Sequence, residues 1–135
     1  TREVIELGQL PGVDYLGFVE DVRPHLWQSA VCVVPLKSGG GTRLKILEAA
    51  AAGCPVVSTA IGAEGLGMRN MKELLVANSD GAFATAVVEL LRNRSLVSEL
   101  IENGRTMISQ KFDWSVVGPK LEQAYYRVIE RHKTR

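Results

Sequence analysis

The chain has 135 residues, 46% apolar and 23% charged, with a formal net charge of +1. That length accommodates one domain and hardly two, with a core large enough to need no disulfide or metal as a staple. The composition excludes a disordered chain, no apolar run approaches the ~18–20 residues of a membrane span, and 16 basic residues against 15 acidic ones disfavour nucleic acid as a partner.

Arg2 to Leu10, with Val4, Ile5 and Leu7 among charges, reads as the tail of a helix. Pro11-Gly12 is a turn signal. Val13 to Val19 predicts a short strand, with Gly17 allowing close backbone approach. Glu20 and Asp21 favour a helix start, Pro24 fits its first turn, and Leu26 with Trp27 gives it a short apolar face. Ala30 to Pro35 is a continuous apolar run, the pattern of a strand buried on both faces.

Lys37 to Thr42 is a loop, and Arg43 to Ala52 predicts a helix with Leu44, Leu47 and Ala51 on one face. Gly53 should end it as a left-handed cap. Pro55 to Thr59 is a second buried strand, Gly62 to Gly67 a glycine-spaced loop, and Leu74 to Val76 a third strand. Ser79-Asp80 can cap a helix running to about Arg92, with Phe83, Val87, Leu90 and Leu91 inward. Ser95 caps another, with Leu96, Leu100 and Ile101 inward and a break at Asn103-Gly104. Asp113 caps a last helix with Val117, Leu121, Tyr125 and Val128 at helical spacing.

Strands alternating with helices mark parallel βαβ units, so the fold class is α/β with a doubly wound, Rossmann-like parallel sheet and helices on both faces. In such sheets ligands bind beyond the carboxyl ends of the strands, which points to the loops after Phe18, Pro35 and Thr59. In the second of these, Gly39, Gly40 and Gly41 stand directly before a helix. They let a ligand approach the backbone, and the first helical N–H groups attract phosphate. Lys37, Arg43 and Lys45 add positive charge. The run is neither a Walker loop nor the dinucleotide fingerprint. It also fits a tight turn with no ligand.

Glu48 sits among Leu47 and four alanines, Ala49 to Ala52. A carboxylate in such a segment must be paired or point into a polar cleft. Ionised, it accepts two neighbouring hydroxyls, as a ribose diol offers. A phosphate at the helix start and a diol about two turns later would lie ~9 Å apart, which suits a nucleoside diphosphate. The alternative is a Glu48 paired with Arg43 or Lys45, or simply exposed. Cys32 and Cys54, among small and β-branched residues, read as buried thiols of a reducing compartment, and with two histidines they give no metal-ligand spacing. No leader segment opens the chain, and the expected location is cytoplasmic. The chain opens on Thr1 rather than Met, as an excised piece of something longer would.

Three stretches carry a family resemblance: Gly17 to Val22, the strand ending Val33-Val34-Pro35, and Gly41 to Thr59 with its Leu47-Glu48-Ala49 and Gly53-Cys54-Pro55-Val56-Val57. With Phe112-Asp113-Trp114 before the last helix, they resemble the C-terminal domain of GT-B fold glycosyltransferases of the large retaining family 4 (group 1). The resemblance covers nearly the whole chain. It implies a donor-binding domain for a nucleotide-diphosphate sugar, with no further cofactor and no required metal. Residues 1–135 would be part of that domain. Its first βα unit and the N-terminal acceptor domain, which carries the family's catalytic histidine, would lie upstream of Thr1. The fragment alone is therefore expected to be inactive.

By the same resemblance Glu48 holds the ribose hydroxyls, the amides around Thr42, Arg43 and Leu44 hold the distal phosphate, and Val19 contacts the base through its backbone. The family's first motif glutamate, which touches the donor sugar, falls on Gly40, so here that carboxylate is absent. Glu64 reads as surface loop rather than a sugar contact, and His25 and His132 read as surface residues. The run Arg127, Glu130, Arg131, His132, Lys133, Arg135 fits a solvated helix end, with a peripheral contact to acidic lipid, at the inner face of the membrane, as the alternative. The expected function is retaining transfer of a sugar to a glycan or lipid-linked acceptor, as in polysaccharide biosynthesis. The competing readings are a non-catalytic binding or assembly module of the same fold, and a sugar-nucleotide epimerase domain.

Overall fold

The structure, a computed structural model, describes residues 2–133. Thr1, Arg135 and the Lys133 side chain of the basic tail lie outside the described residues. In chain order the elements are α1 (Arg2–Leu7), α2 (Arg23–Gln28), β1 (Cys32–Val34), α3 (Leu44–Ala52), β2 (Val56–Ser58) and α4 (Ala60–Ala63). They continue with β3 (Leu75–Val76), α5 (Asp80–Arg92), α6 (Arg94–Lys111) and α7 (Trp114–Lys133). The strands form one parallel sheet in the order β1-β2-β3, with Val33 opposite Val57 and Val57 opposite Leu75.

Helices cover both faces, as expected. β2 is fully buried, and its successive residues point to opposite layers. Val56 joins Val34, Leu74, Ile46 and Ala49 in the layer under α3. Val57 joins Leu75, Leu90 and Leu100 in the layer under α5 and α6. The fully buried face of α3 is Ile46, Ala49 and Ala50; of the expected Leu44, Leu47 and Ala51 only Leu47 packs, half-buried, against the core, and Leu44 is 61% exposed. Small side chains win the inner positions because the neighbours come close. A Cβ on Gly104 of α6 would stand 3.5 Å from Cβ of Ala50.

That close approach also explains why α6 runs straight through Asn103-Gly104, where a break was expected. The glycine is buried against α3 and serves packing rather than termination. The cap of α6 is Asn93 rather than Ser95: its Oδ1 accepts from the Leu96 N–H at 3.1 Å. The Ser79 and Gly53 caps stand as expected, with Ser79 Oγ accepting from the Ala82 N–H at 3.3 Å and Gly53 at φ 79°. The stretch after Thr59 begins as the single helical turn α4, capped by Thr59 Oγ1.

Four apolar surfaces expected to be covered stay open among the described residues. Val13 to Val19 forms no strand: it has no sheet partner among the described residues, Gly17 at φ 66° interrupts the extended run, and Phe18 is 94% exposed. β1 is not covered on both faces, because the α5 and α6 layer ends over β2 and Val33 lies beyond it. On α5, Leu91 points outward, and on α7 only Val117 of the expected row is half-buried while Leu121, Tyr125 and Val128 are exposed. No helix among the described residues is long and apolar enough to cross a membrane.

Candidate functional site

The carboxyl ends of β1 and β2 meet at the glycine loop. Thr59 Oγ1 donates to the Leu36 carbonyl at 2.6 Å, and Ser58 Oγ reaches the Val34 carbonyl at 3.4 Å, which ties the strand ends together. Arg43 then organises the loop from beneath. Its guanidinium is buried, donating from Nη1 to the Gly40 carbonyl at 2.6 Å and from Nη2 to the Gly39 carbonyl at 2.7 Å. Its charge is therefore spent inside the loop rather than offered to a ligand, contrary to the expectation for Arg43. Lys37 is partly neutralised at the surface, 3.5 Å from Asp80, and Lys45 is exposed.

The backbone of the same segment is left open. Arg43 has φ −85° and ψ 64°, and the Leu44 N–H donates to the Thr42 carbonyl at 3.0 Å. That is an inverse γ-turn, and it feeds directly into α3. It occupies the Leu44 amide, so of the three expected phosphate donors only the amides of Thr42 and Arg43 lack an acceptor among the described residues. The Lys45 amide is open as well. No side chain caps α3.

Glycine is required at two of the three loop positions. Gly39 at φ 134° and Gly41 at φ 83° occupy backbone space closed to most side chains. Gly40 does not, and nothing lies within 4 Å of where its Cβ would be. The glycine at position 40 is thus a choice of residue and not a demand of the backbone.

Glu48 follows Leu44 by four positions, about one turn and ~6 Å along the axis rather than the two turns expected. It makes no hydrogen bond or ion pair among the described residues, so the pairing with Arg43 or Lys45 is not formed and the exposed alternative holds. It lines a groove of about 890 Å³ together with residues 20–23, Trp27 and the methyl groups of Ala51 and Ala52. Val19 is half-buried just ahead of that wall but does not line it, and neither do Gly39 to Leu44. On the rim, Arg23 grips Asp21 through Nε at 2.9 Å and Nη2 at 2.8 Å, and these bonds hold the Asp21 carboxyl below its usual range.

The sequence did not single out Trp27 as more than part of an apolar face. The signal was its adjacency to Leu26: successive residues of a helix point about 100° apart, and with Leu26 half-buried against the core Trp27 turns away from it. Glu64, His25 and His132 are exposed, as expected. Cys32 and Cys54 are free thiols; burial pushes Cys54 up to about 11, so both are core residues rather than nucleophiles.

Residues 1–93 match the family model described as "Glycosyl transferases group 1". The chain belongs to this family. It is 31% identical, over 91% of its length, to a phosphatidyl-myo-inositol mannosyltransferase of Propionibacterium freudenreichii subsp. shermanii. It is 32% identical, over 63% of its length, to an uncharacterized 44.6 kDa protein in the cps region of Klebsiella pneumoniae. It spans 34% and 22% of those two relatives. Sucrose-phosphate synthase from Thermosynechococcus elongatus shares the fold, with a TM-score of 0.83 over 96% of this chain and 34% of that one, at 24% identity.

Proposed function

We propose that this group 1 domain is the donor-binding half of a retaining glycosyltransferase that moves a sugar from a nucleoside diphosphate to a glycan or lipid-linked acceptor. The observation that carries the reading is Glu48, an unpartnered carboxylate on a groove wall, one turn from a helix start where the amides of Thr42, Arg43 and Lys45 are open. The carboxylate accepts from the two ribose hydroxyls. The open amides of Thr42, Arg43 and Lys45, reinforced by the α3 dipole, receive the distal phosphate. As the glycosidic bond breaks, negative charge grows on that diphosphate, and donors already fixed in place stabilise it. Arg43, by holding the Gly39 and Gly40 carbonyls, keeps those donors in position.

Calorimetric titration of the full-length protein with UDP, GDP and ADP tests this. One of the three should bind, and Glu48→Ala should weaken it about tenfold, ~1.4 kcal/mol. An unchanged affinity removes Glu48 from the donor site. Gly40 favours one competitor, a non-catalytic module of the same fold, because the sugar subsite lacks its carboxylate. Nucleotide binding without sugar transfer to any acceptor would favour that module. Product analysis with and without an acceptor separates the transferase from an epimerase. A lipid-linked acceptor would bring the protein to the inner face of the membrane, where the basic end of α7 meets acidic headgroups.

A further inference from the structure

We infer that the indole of Trp27 is the stacking platform for the base of the nucleotide whose ribose Glu48 holds. This rests on the donor-binding reading of the same groove. Trp27 leaves 63% of its surface open, although α2 already has Leu26 to anchor it to the core. An indole exposed in that way does little for stability, since leaving apolar area in water forfeits ~25 cal/mol per Å². It does supply a flat π face on the wall of the groove that Glu48 also lines.

The two chemistries match the two parts of a nucleoside. An unpartnered carboxylate suits a cis diol, and an aromatic plane suits the base. The groove they share is also lined by Ala51 and Ala52, whose side chains are the smallest an L residue can bring to it. The Asp21–Arg23 pair on the rim is closed on itself by bonds of 2.8 to 3.1 Å, so neither charge is free to compete for a neutral base. Stacking tolerates any base, because each has a π face. Trp27 therefore sets nucleoside affinity, and the choice of base is made by edge contacts elsewhere.

The test is titration of the full-length protein with UDP, GDP and ADP, read by calorimetry and by tryptophan fluorescence. The diphosphate that binds should quench part of the emission. That quench should vanish in Trp27→Phe and persist in Trp114→Phe, since Trp114 lies outside the groove. Trp27→Ala should weaken binding about tenfold, and Trp27→Phe, which keeps an aromatic face, clearly less. A quench that survives Trp27→Phe, or a Trp27→Ala affinity equal to wild type, overturns the platform. If Glu48→Ala still weakens binding in that case, the donor site stands and only Trp27 is wrong. If Glu48→Ala is silent too, or none of the three binds, the donor reading falls and takes the platform with it.

Discussion

The start of α3 and the starts of α5 and α6 solve one problem in opposite ways. Each helix begins with N–H groups that have no partner inside it. At α5 and α6 a side chain supplies one, Ser79 Oγ for Ala82 and Asn93 Oδ1 for Leu96. At α3 the residue in the same position is Arg43, which has no acceptor to give and turns instead to the loop carbonyls. Under the proposed function, the difference separates helices that only need to be stable from one that keeps the amides of Thr42, Arg43 and Lys45 available. A capped α3 would be a better helix and a poorer candidate for the proposed phosphate contact.

The largest effect expected on this contrast comes from Arg43. Arg43→Met removes two charge-assisted bonds to adjacent carbonyls, and unfolding in denaturant should show a loss of about 2 kcal/mol. Nucleotide affinity should fall with it, because the loop loses its frame. Arg43→Lys should not restore either property, since one ammonium cannot span both carbonyls as the guanidinium fork does. A wild-type denaturation curve for Arg43→Met would mean that the loop is held by its own glycines. Next come the structural caps. Ser79→Ala and Asn93→Ala should each cost about 1 kcal/mol and leave the nucleotide dissociation constant alone. A fall in affinity comparable to that of Glu48→Ala would erase the distinction between the two kinds of helix start.

Much of this frame was legible in the sequence, because it follows from local signals. Gly53 as a left-handed cap, Ser79 as an N-cap and the wholly apolar β2 each depend on a few adjacent residues. Glu48 was legible for the same reason, a single carboxylate in a run of small apolar neighbours. What was not legible depends on partners far along the chain. Gly104 looks like a helix breaker until Ala50 is seen beside it. Val13 to Val19 has the composition of a strand, but a strand exists only where a neighbouring ladder accepts it. Arg43 reads as a phosphate ligand by type, and only the fold reveals that its guanidinium turns inward. The inverse γ-turn that consumes the Leu44 amide has no sequence signature at all.

The smallest effect is the most discriminating within the loop itself. Gly41→Ala forces a side chain into a left-handed conformation at φ 83°, which costs about 1 kcal/mol and misplaces the Thr42 amide. Gly40→Ala meets neither strain nor neighbour, so its stability should stay within about 0.5 kcal/mol of wild type. The same freedom admits Gly40→Glu, which returns a carboxylate to the place where the family resemblance puts one. That variant should fold with an unchanged thermal midpoint, and nucleoside diphosphate affinity should hold, because the groups proposed to meet base, ribose and phosphate are untouched. Only discrimination among diphosphate sugars should move. If Gly40→Glu instead abolishes diphosphate binding, the space above Gly40 belongs to the phosphates and not to the sugar, and the sugar subsite must be sought along another wall.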